Sequence, residues 1–295
     1  MPRVVPFHLA AAAAALAIVA ASPAQSPATT LTFGVYSFKR PTEVYRDFLP
    51  VTDALAKALT TARGGAVAIE VKVYKTYDEC IDDFVAGKVD FVRLGPASFV
   101  TAEQRNHDIK LLAVEEEDAT KGSKGVGVIV VAKDSPIRTL ADLAGKSFAF
   151  GDENSTIGRY LAQAQLVAAG VYARDLTRFQ FLERHDRVFK AVELGDYDAG
   201  ALHLSILENL NVKGQLRPIA TFDNVGKPWV ARAGLDATLV TQLRQAMLGL
   251  DDAKALKALK ISAIVPAHAE DFAMVRAAMA KSVAFTAPAA QPAKE

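Results

Sequence analysis

Apolar and polar positions alternate most cleanly over residues 66–74, where Val67, Ile69, Val71 and Val73 recur at every second place. That period predicts a half-buried strand. The run 31–36 predicts another strand, and 45–59 carries helical spacing, with Pro50 kinking the helix or marking its start. A helix over 78–86, stopped by Gly87, and an apolar strand over 89–94 complete a β-α-β-α-β order. Strands alternating with helices predict a parallel sheet whose ligand sites lie beyond the carboxyl ends of the strands.

The same order returns further along. A helix over 97–110, a strand over 111–114, an acidic, glycine-bearing link over 115–125 and an apolar strand over 126–132 come first. Asp134-Ser135-Pro136-Ile137 then closes that strand and introduces a short helix through Leu143. Strand 147–150, a helix over 159–169 closed by Gly170, strand 178–182, a helix after Asp186 and strand 199–202 match the first copy element by element. Asp78 followed by Gly87-Lys88-Val89-Asp90 recurs, at one offset throughout, as Asp186 followed by Gly195-Asp196-Tyr197-Asp198. In each copy the first Asp is expected to cap a helix, the Gly to take the left-handed position after it, and the second Asp to turn the chain into a buried strand. A helical segment 205–211, a strand 217–220 and helices over 236–250 and 270–283 finish the chain. The expected fold class is α/β, with two similar βαβαβ lobes joined by a two-crossing hinge around a cleft. The first lobe is expected over 25–115, the second over 116–204, and a return to the first, with the C-terminal helices, over 205–286.

The two ends stand apart from this pattern. Met1-Pro2-Arg3 is a short positive head, 9–21 an alanine-rich apolar run and Ser22-Pro23-Ala24 a small-residue cleavage site, so 1–24 reads as a secretory signal peptide. No later segment has the ~18 to 20 apolar residues of a membrane helix. The single cysteine, Cys80, lies far from the cleavage site, so neither a lipid-modified cysteine nor an internal disulfide is expected. The Ala- and Pro-rich 287–295 reads as a disordered tail. With 34 basic and 33 acidic residues and no basic stripe, a nucleic-acid partner is not expected.

Candidate chemistry concentrates at the strand ends. Gly151-Asp152-Glu153-Asn154-Ser155-Thr156-Ile157-Gly158 joins a strand to a helix. Asn154, Ser155 and Thr156 can each cap that helix, whose free first-turn N–H groups and positive dipole end offer an anion a seat. A capped helix without a ligand is the plainer account of the pair taken alone. Tyr36-Ser37-Phe38, Tyr74-Lys75, Gly95-Pro96-Ala97-Ser98, His185 and His203 lie at the other strand ends. This set is rich in hydroxyls and poor in fixed charges, which suits a small oxyanion held by many neutral donors. Either histidine could equally be structural. Arg93, inside an apolar strand, either pairs with a carboxylate or reaches the ligand. Asp90 and Asp198 read as turn residues, and Cys80 as core. A triad of Ser155, His185 and an Asp lacks the G-x-S-x-G elbow, and the chain has no H-E-x-x-H, no metal-ligand spacing and no P-loop.

Several segments together carry a resemblance: the run from Val89 to Ser98, Asp134-Ser135-Pro136-Ile137 with Leu140-Ala141-Asp142-Leu143-Ala144-Gly145-Lys146, Phe150 to Thr156, His185-Asp186, and Gly195 to Ala201. In this order they resemble the PhnD-like phosphate/phosphite/phosphonate-binding proteins of ABC importers, which are type 2 periplasmic binding proteins. The resemblance implies a two-lobed clamp closing on an oxyanion. It makes Ser155, Thr156 and His185 ligand contacts, follows Asn154 with the Ser-Thr pair, and lines the cleft with Tyr36, Gly95, Ser98 and His203. Two positions depart from the pattern. Ile157-Gly158 stands where such binders often continue Ser-Gly, and Leu94 where they often place an aromatic, so a smaller or differently protonated oxyanion fits as well as an organophosphonate. The implied role is a periplasmic solute-binding protein that presents its ligand to an ABC permease, working as a monomer with no cofactor or metal. Signalling to a sensor histidine kinase, and an enzyme on the same fold with His185 as general base, are the alternatives.

Overall fold

The computed structural model describes residues 28–37, 40–117 and 125–286. The expected signal peptide, Phe38 and the tail 287–295 lie outside these residues. The first lobe begins with β1 (Thr29–Tyr36), α1 (Pro41–Arg63), β2 (Val67–Tyr74), α2 (Tyr77–Val85), β3 (Phe91–Arg93), α3 (Pro96–Arg105) and β4 (Lys110–Glu117). The second holds β5 (Val126–Ala132), β6 (Ser147–Phe150), a π-helical segment Thr156–Leu161 running into α4 (Ala162–Ala168), β7 (Arg178–Phe181), α5 (His185–Glu193), β8 (Ala199–His203), α6 (Leu204–Leu210) and β9 (Leu216–Asp223). The chain then supplies β10 (Pro228–Ala231), α7 (Ala237–Leu248), α8 (Ala253–Leu259), β11 (Ile261–Val265) and α9 (Ala273–Phe285).

Two sheets result, ordered β11-β4-β10-β3-β1-β2 and β7-β6-β8-β5-β9. In each, three parallel strands are followed by one antiparallel strand: β10 beside β3 in the first, β5 beside β8 in the second. The duplication is written into the hydrogen bonds. Gly87 and Gly195 have φ of 74° and 78°, the left-handed positions expected of them. Asp90 accepts the Thr32 N–H at 2.8 Å, and Asp198 accepts the Ser147 N–H at 2.8 Å, so each aspartate ties the third strand of its lobe to the first.

Some expectations need correction. Asp78 and Asp186 are not helix caps: Thr76 accepts the Glu79 N–H at the start of α2, and Asp186 pairs with Arg184, which occupies the cap position of α5. The return to the first lobe begins at β10 rather than at 205, because β9 extends the second sheet beside β5. Strands β10 and β11 and helix α8 lack a legible period. β10 is four residues buried on both faces, so nothing alternates along it.

Aromatic cores hold each lobe. Phe33, Phe48 and Phe91 surround Trp229, whose ring stacks on Phe33 at 5.1 Å. In the second lobe Phe148, Phe150 and Phe179 pack together, and Phe285 of α9 meets Phe150 edge-on at 5.4 Å. One side of α9 packs in a first-lobe cluster through Val275 and Met279, and another in the second-lobe core through Ala278 and Phe285. That helix therefore straddles the lobes.

Candidate functional site

The second-lobe wall of the cleft is built by the turn after β6. Ser155 caps the following helix by accepting the Gly158 N–H at 2.9 Å. The first turns are wound as a π-helix, so the Tyr160 N–H reaches back to the Ser155 carbonyl at 3.2 Å. Such widened turns are frequent at functional sites. Glycine is required here by contact: a Cβ on Gly158 would lie 2.8 Å from the Gly151 Cα and 2.9 Å from the Ser155 Oγ. Ser155 and Thr156 are both buried against the first lobe.

The first-lobe wall begins at Tyr36, at the end of β1, whose ring stacks on Tyr77 with centroids 3.7 Å apart. The Tyr36 hydroxyl accepts the Gly95 N–H and lies 3.2 Å from the Ser98 Oγ. Burial pushes both tyrosine hydroxyls above their ordinary pKa, so they stay protonated donors. The lobes meet here. Thr156 Oγ1 accepts the Ala97 N–H at 2.9 Å, and Asn154 Nδ2 donates to Asp78 at 2.8 Å.

Between the walls lies a cavity of about 320 Å³. Tyr36, Gly95, Ser155, Thr156, His185 and His203 line it, so six of the eight sequence-derived candidates converge. Ser98 and Asn154 do not line it. Ser98 is fully buried beside Tyr36, and the Asn154 side chain is engaged with Asp78 at the lobe junction. The lining also includes Tyr77, Arg93, Glu117, Asn224 and Lys227, and an apolar side of Phe48, Ile206 and Leu259. Tyr77 is the one missed residue with a usable signal, since it follows the β2 strand end by three positions. Glu117 and Lys227 sit on the two lobe crossings, which no local pattern marks.

The electrostatics of this cavity are closely paired. Arg93 meets the buried Glu115 carboxylate through Nε at 2.9 Å and Nη2 at 2.7 Å, and the Trp229 indole N–H adds a third bond at 3.2 Å. Arg93 thus has a carboxylate partner while facing the cavity. Lys227 Nζ lies 2.9 Å from Glu117 Oε1, and His203 Nε2 lies 3.7 Å from the same oxygen. Burial opposes the charge on Glu117, but His203 and Lys227 outweigh it and hold its carboxyl well below the usual range. His203 Nδ1 accepts the Ser205 N–H at 3.2 Å, which places the ring proton on Nε2. His185 is pushed down to about 3 by burial and then by the neighbouring His203, so its ring is neutral near pH 7. Its Nδ1, His203 Nε2 and Asn224 Oδ1 are buried without a hydrogen-bond partner. Among the described residues no cluster of His, Cys, Asp and Glu is arranged to hold a metal ion.

Two lobes, two crossings and a cavity between facing strand ends make up a type 2 periplasmic-binding-protein fold. Residues 33–272 match the family described as ABC transporter, phosphonate, periplasmic substrate-binding protein, and the chain belongs to that family. It is 28% identical over 223 residues to the phosphate-import protein PhnD of Mycolicibacterium smegmatis, covering 71% of this chain and 68% of that one. A probable ABC transporter phosphite-binding protein, PhnD1, of Prochlorococcus marinus is 28% identical over 204 residues, covering 62% and 67% of the two chains. The fold is similar to the structure of PhnD1 from Prochlorococcus marinus in complex with methylphosphonate, with a TM-score of 0.75 at 23% identity over 85% of this chain and 97% of the other. Members of this family are periplasmic substrate-binding components of ABC transporters. Among the described residues no helix is long and apolar enough to cross a membrane.

Proposed function

We propose that this protein captures a small tetrahedral oxyanion of the phosphonate, phosphite or phosphate class in the periplasm and presents it to an ABC permease. The observation that carries this reading is the cavity at the lobe junction, where the Ser155 and Thr156 hydroxyls at a helix start face His185, Tyr36 and the unpartnered His203 Nε2. These hydroxyls and ring nitrogens reach the cavity from both lobes, and a hydrogen bond to a charged ligand contributes more than one between neutral groups. Ligand bound between both walls adds contacts that only the closed lobes can make, so it shifts the population toward closure. Closure is then what the permease reads.

The chain performs no chemistry in this reading. A ring pushed to about 3 makes His185 a weak base at neutral pH, which removes the support for a catalytic role. No observation favours signalling to a sensor kinase. The signal-peptide pattern over 1–24 supports export to the periplasm, and one copy containing both walls of the site is consistent with action as a monomer. Thermal melting and calorimetry of the mature protein with phosphite, methylphosphonate, aminoethylphosphonate and phosphate test the assignment. One or more of these is expected to raise the melting temperature and titrate to one site per chain. No effect from any of them, in protein shown by mass spectrometry to be ligand-free, would sink it.

A further inference from the structure

The charged groups around the cavity balance. Arg93 of β3 is answered by Glu115 of β4, and Lys227 of the second crossing by Glu117 at the end of β4. Asp47 of α1 and Lys260, after α8, complete the charged lining with one of each sign. Two histidines complete the lining: His203 Nδ1 accepts the Ser205 N–H, and His185 lies between the lobes. The remaining titratable groups nearby are Tyr36 of β1, Tyr77 of α2 and, outside the lining, Asp152 behind Ser155 and Asp186 beside His185. Burial raises the Asp152 carboxyl to about 6.

The cavity also presents acceptors. The Glu117 carboxylate lines it, and Asn224 Oδ1 and His185 Nδ1 are buried there without partners. A fully deprotonated oxyanion brings only acceptors and would leave Asn224 Oδ1 and His185 Nδ1 unmet, while adding two charges to a site whose carboxylates and cations already balance. An oxyanion with one charge and one remaining hydroxyl satisfies both conditions. We propose, resting on the oxyanion reading above, that the site takes its ligand as the singly charged anion that keeps an acidic hydroxyl and rejects dianions that lack one, such as sulfate.

Calorimetric titration of the mature protein with phosphite, methylphosphonate, sulfate and methanesulfonate, between about pH 5 and 8, tests this. Phosphite and methylphosphonate lose their second proton at different pH. Each affinity is expected to fall about tenfold per pH unit above that ligand's own second ionisation, with the two midpoints separated as the ligands' are. Sulfate, doubly charged, and methanesulfonate, singly charged without a hydroxyl, are expected to bind at least about tenfold more weakly. A pH-independent affinity, sulfate binding on a par with methylphosphonate, or a single midpoint shared by both ligands would overturn the proposal; the last would assign the titration to the protein. Glu117→Gln, shown by circular dichroism to be folded, leaves Lys227 unanswered and is expected to admit sulfate; unchanged rejection would overturn the role of charge balance. Absence of binding by every one of the four at every pH would be a different failure, that of the oxyanion reading itself.

Discussion

Thr156 spans the cleft: from the first position of the second-lobe helix, its Oγ1 accepts the backbone N–H of Ala97 in the first lobe at 2.9 Å. The hydroxyl proton is left to donate elsewhere, and the side chain lines the cavity. In the proposed function one residue thus couples lobe contact to ligand contact. Thr156→Ala is expected to weaken oxyanion binding about tenfold to a hundredfold, from the loss of a hydrogen bond to a charged group worth about 1.5–3 kcal/mol. Thr156→Ser, which keeps the hydroxyl, should retain most of the affinity. Calorimetric titration of both variants checks this, and equal losses in the two would show that the methyl group matters instead.

Ser155 has a second role that Thr156 lacks, because its Oγ caps the helix through the Gly158 N–H. Ser155→Ala is therefore expected to cost about 1 kcal/mol of stability as well as affinity. For a protein of this size that is a lowering of the melting temperature by about 2–4 °C. Scanning calorimetry of the ligand-free variant measures it. A collapse of folding would mean that the residue is structural only.

Much of this architecture was legible in the chain because it is written twice. The spacing that repeats Gly87 and Asp90 as Gly195 and Asp198 marks two equivalent turns, and each aspartate accepts a backbone N–H from a neighbouring parallel strand, Asp90 from Thr32 of β1 and Asp198 from Ser147 of β6. The helix-start residues Ser155 and Thr156 were legible for a local reason, since capping chemistry is set within a few positions. Lys227 and Glu117 were not, because they are brought together only when the two crossings lie side by side. Ser98 misled for a related reason: position on a strand end says nothing about the rotation of the following helix, and that rotation turns its hydroxyl toward Tyr36.

The repeated aspartates should behave alike. Asp90 holds the Thr32 N–H and Arg232, and Asp198 holds both the N–H and the hydroxyl of Ser147. Asp90→Ala and Asp198→Ala each strip a partner from a backbone donor on the neighbouring strand, at a cost of about 1–3 kcal/mol. Urea unfolding of each variant gives the two costs. A loss confined to one of them would show that the duplication is not energetically matched.

Arg93 and Glu115 form a pair removed from solvent, with exposures of 6% and 2%. Breaking such a pair costs more than deleting it, because the survivor is left charged and unanswered. Glu115→Gln is expected to destabilise the protein by about 3–5 kcal/mol, and Arg93→Met with Glu115→Leu to recover much of that loss. Denaturant titration of the single and double variants decides the point. A double variant no more stable than Glu115→Gln would argue that the pair supplies packing that apolar residues cannot replace.

His185 makes acid stability a measure of the site. Its folded-state value of about 3 lies below the ordinary 6.5, so the unfolded chain binds the proton more readily. Stability contributed by the neutral ring is therefore complete above about pH 6.5 and is lost as the pH falls from there toward about 3. At pH 5 the loss attributable to this residue is roughly 2 kcal/mol, from 1.36 kcal/mol per unit of displacement. His185→Gln, which cannot titrate, should flatten the decline in unfolding free energy between pH 6.5 and 5 relative to the parent chain. Asp152 acts in the opposite sense, because its carboxyl, raised by burial to about 6, stabilises the fold as it gains a proton. The parent curve thus carries both contributions, and only the difference between parent and variant isolates the imidazole. If the two curves run parallel, the ring is not held neutral by its surroundings, and the cavity carries more positive charge than its paired groups imply.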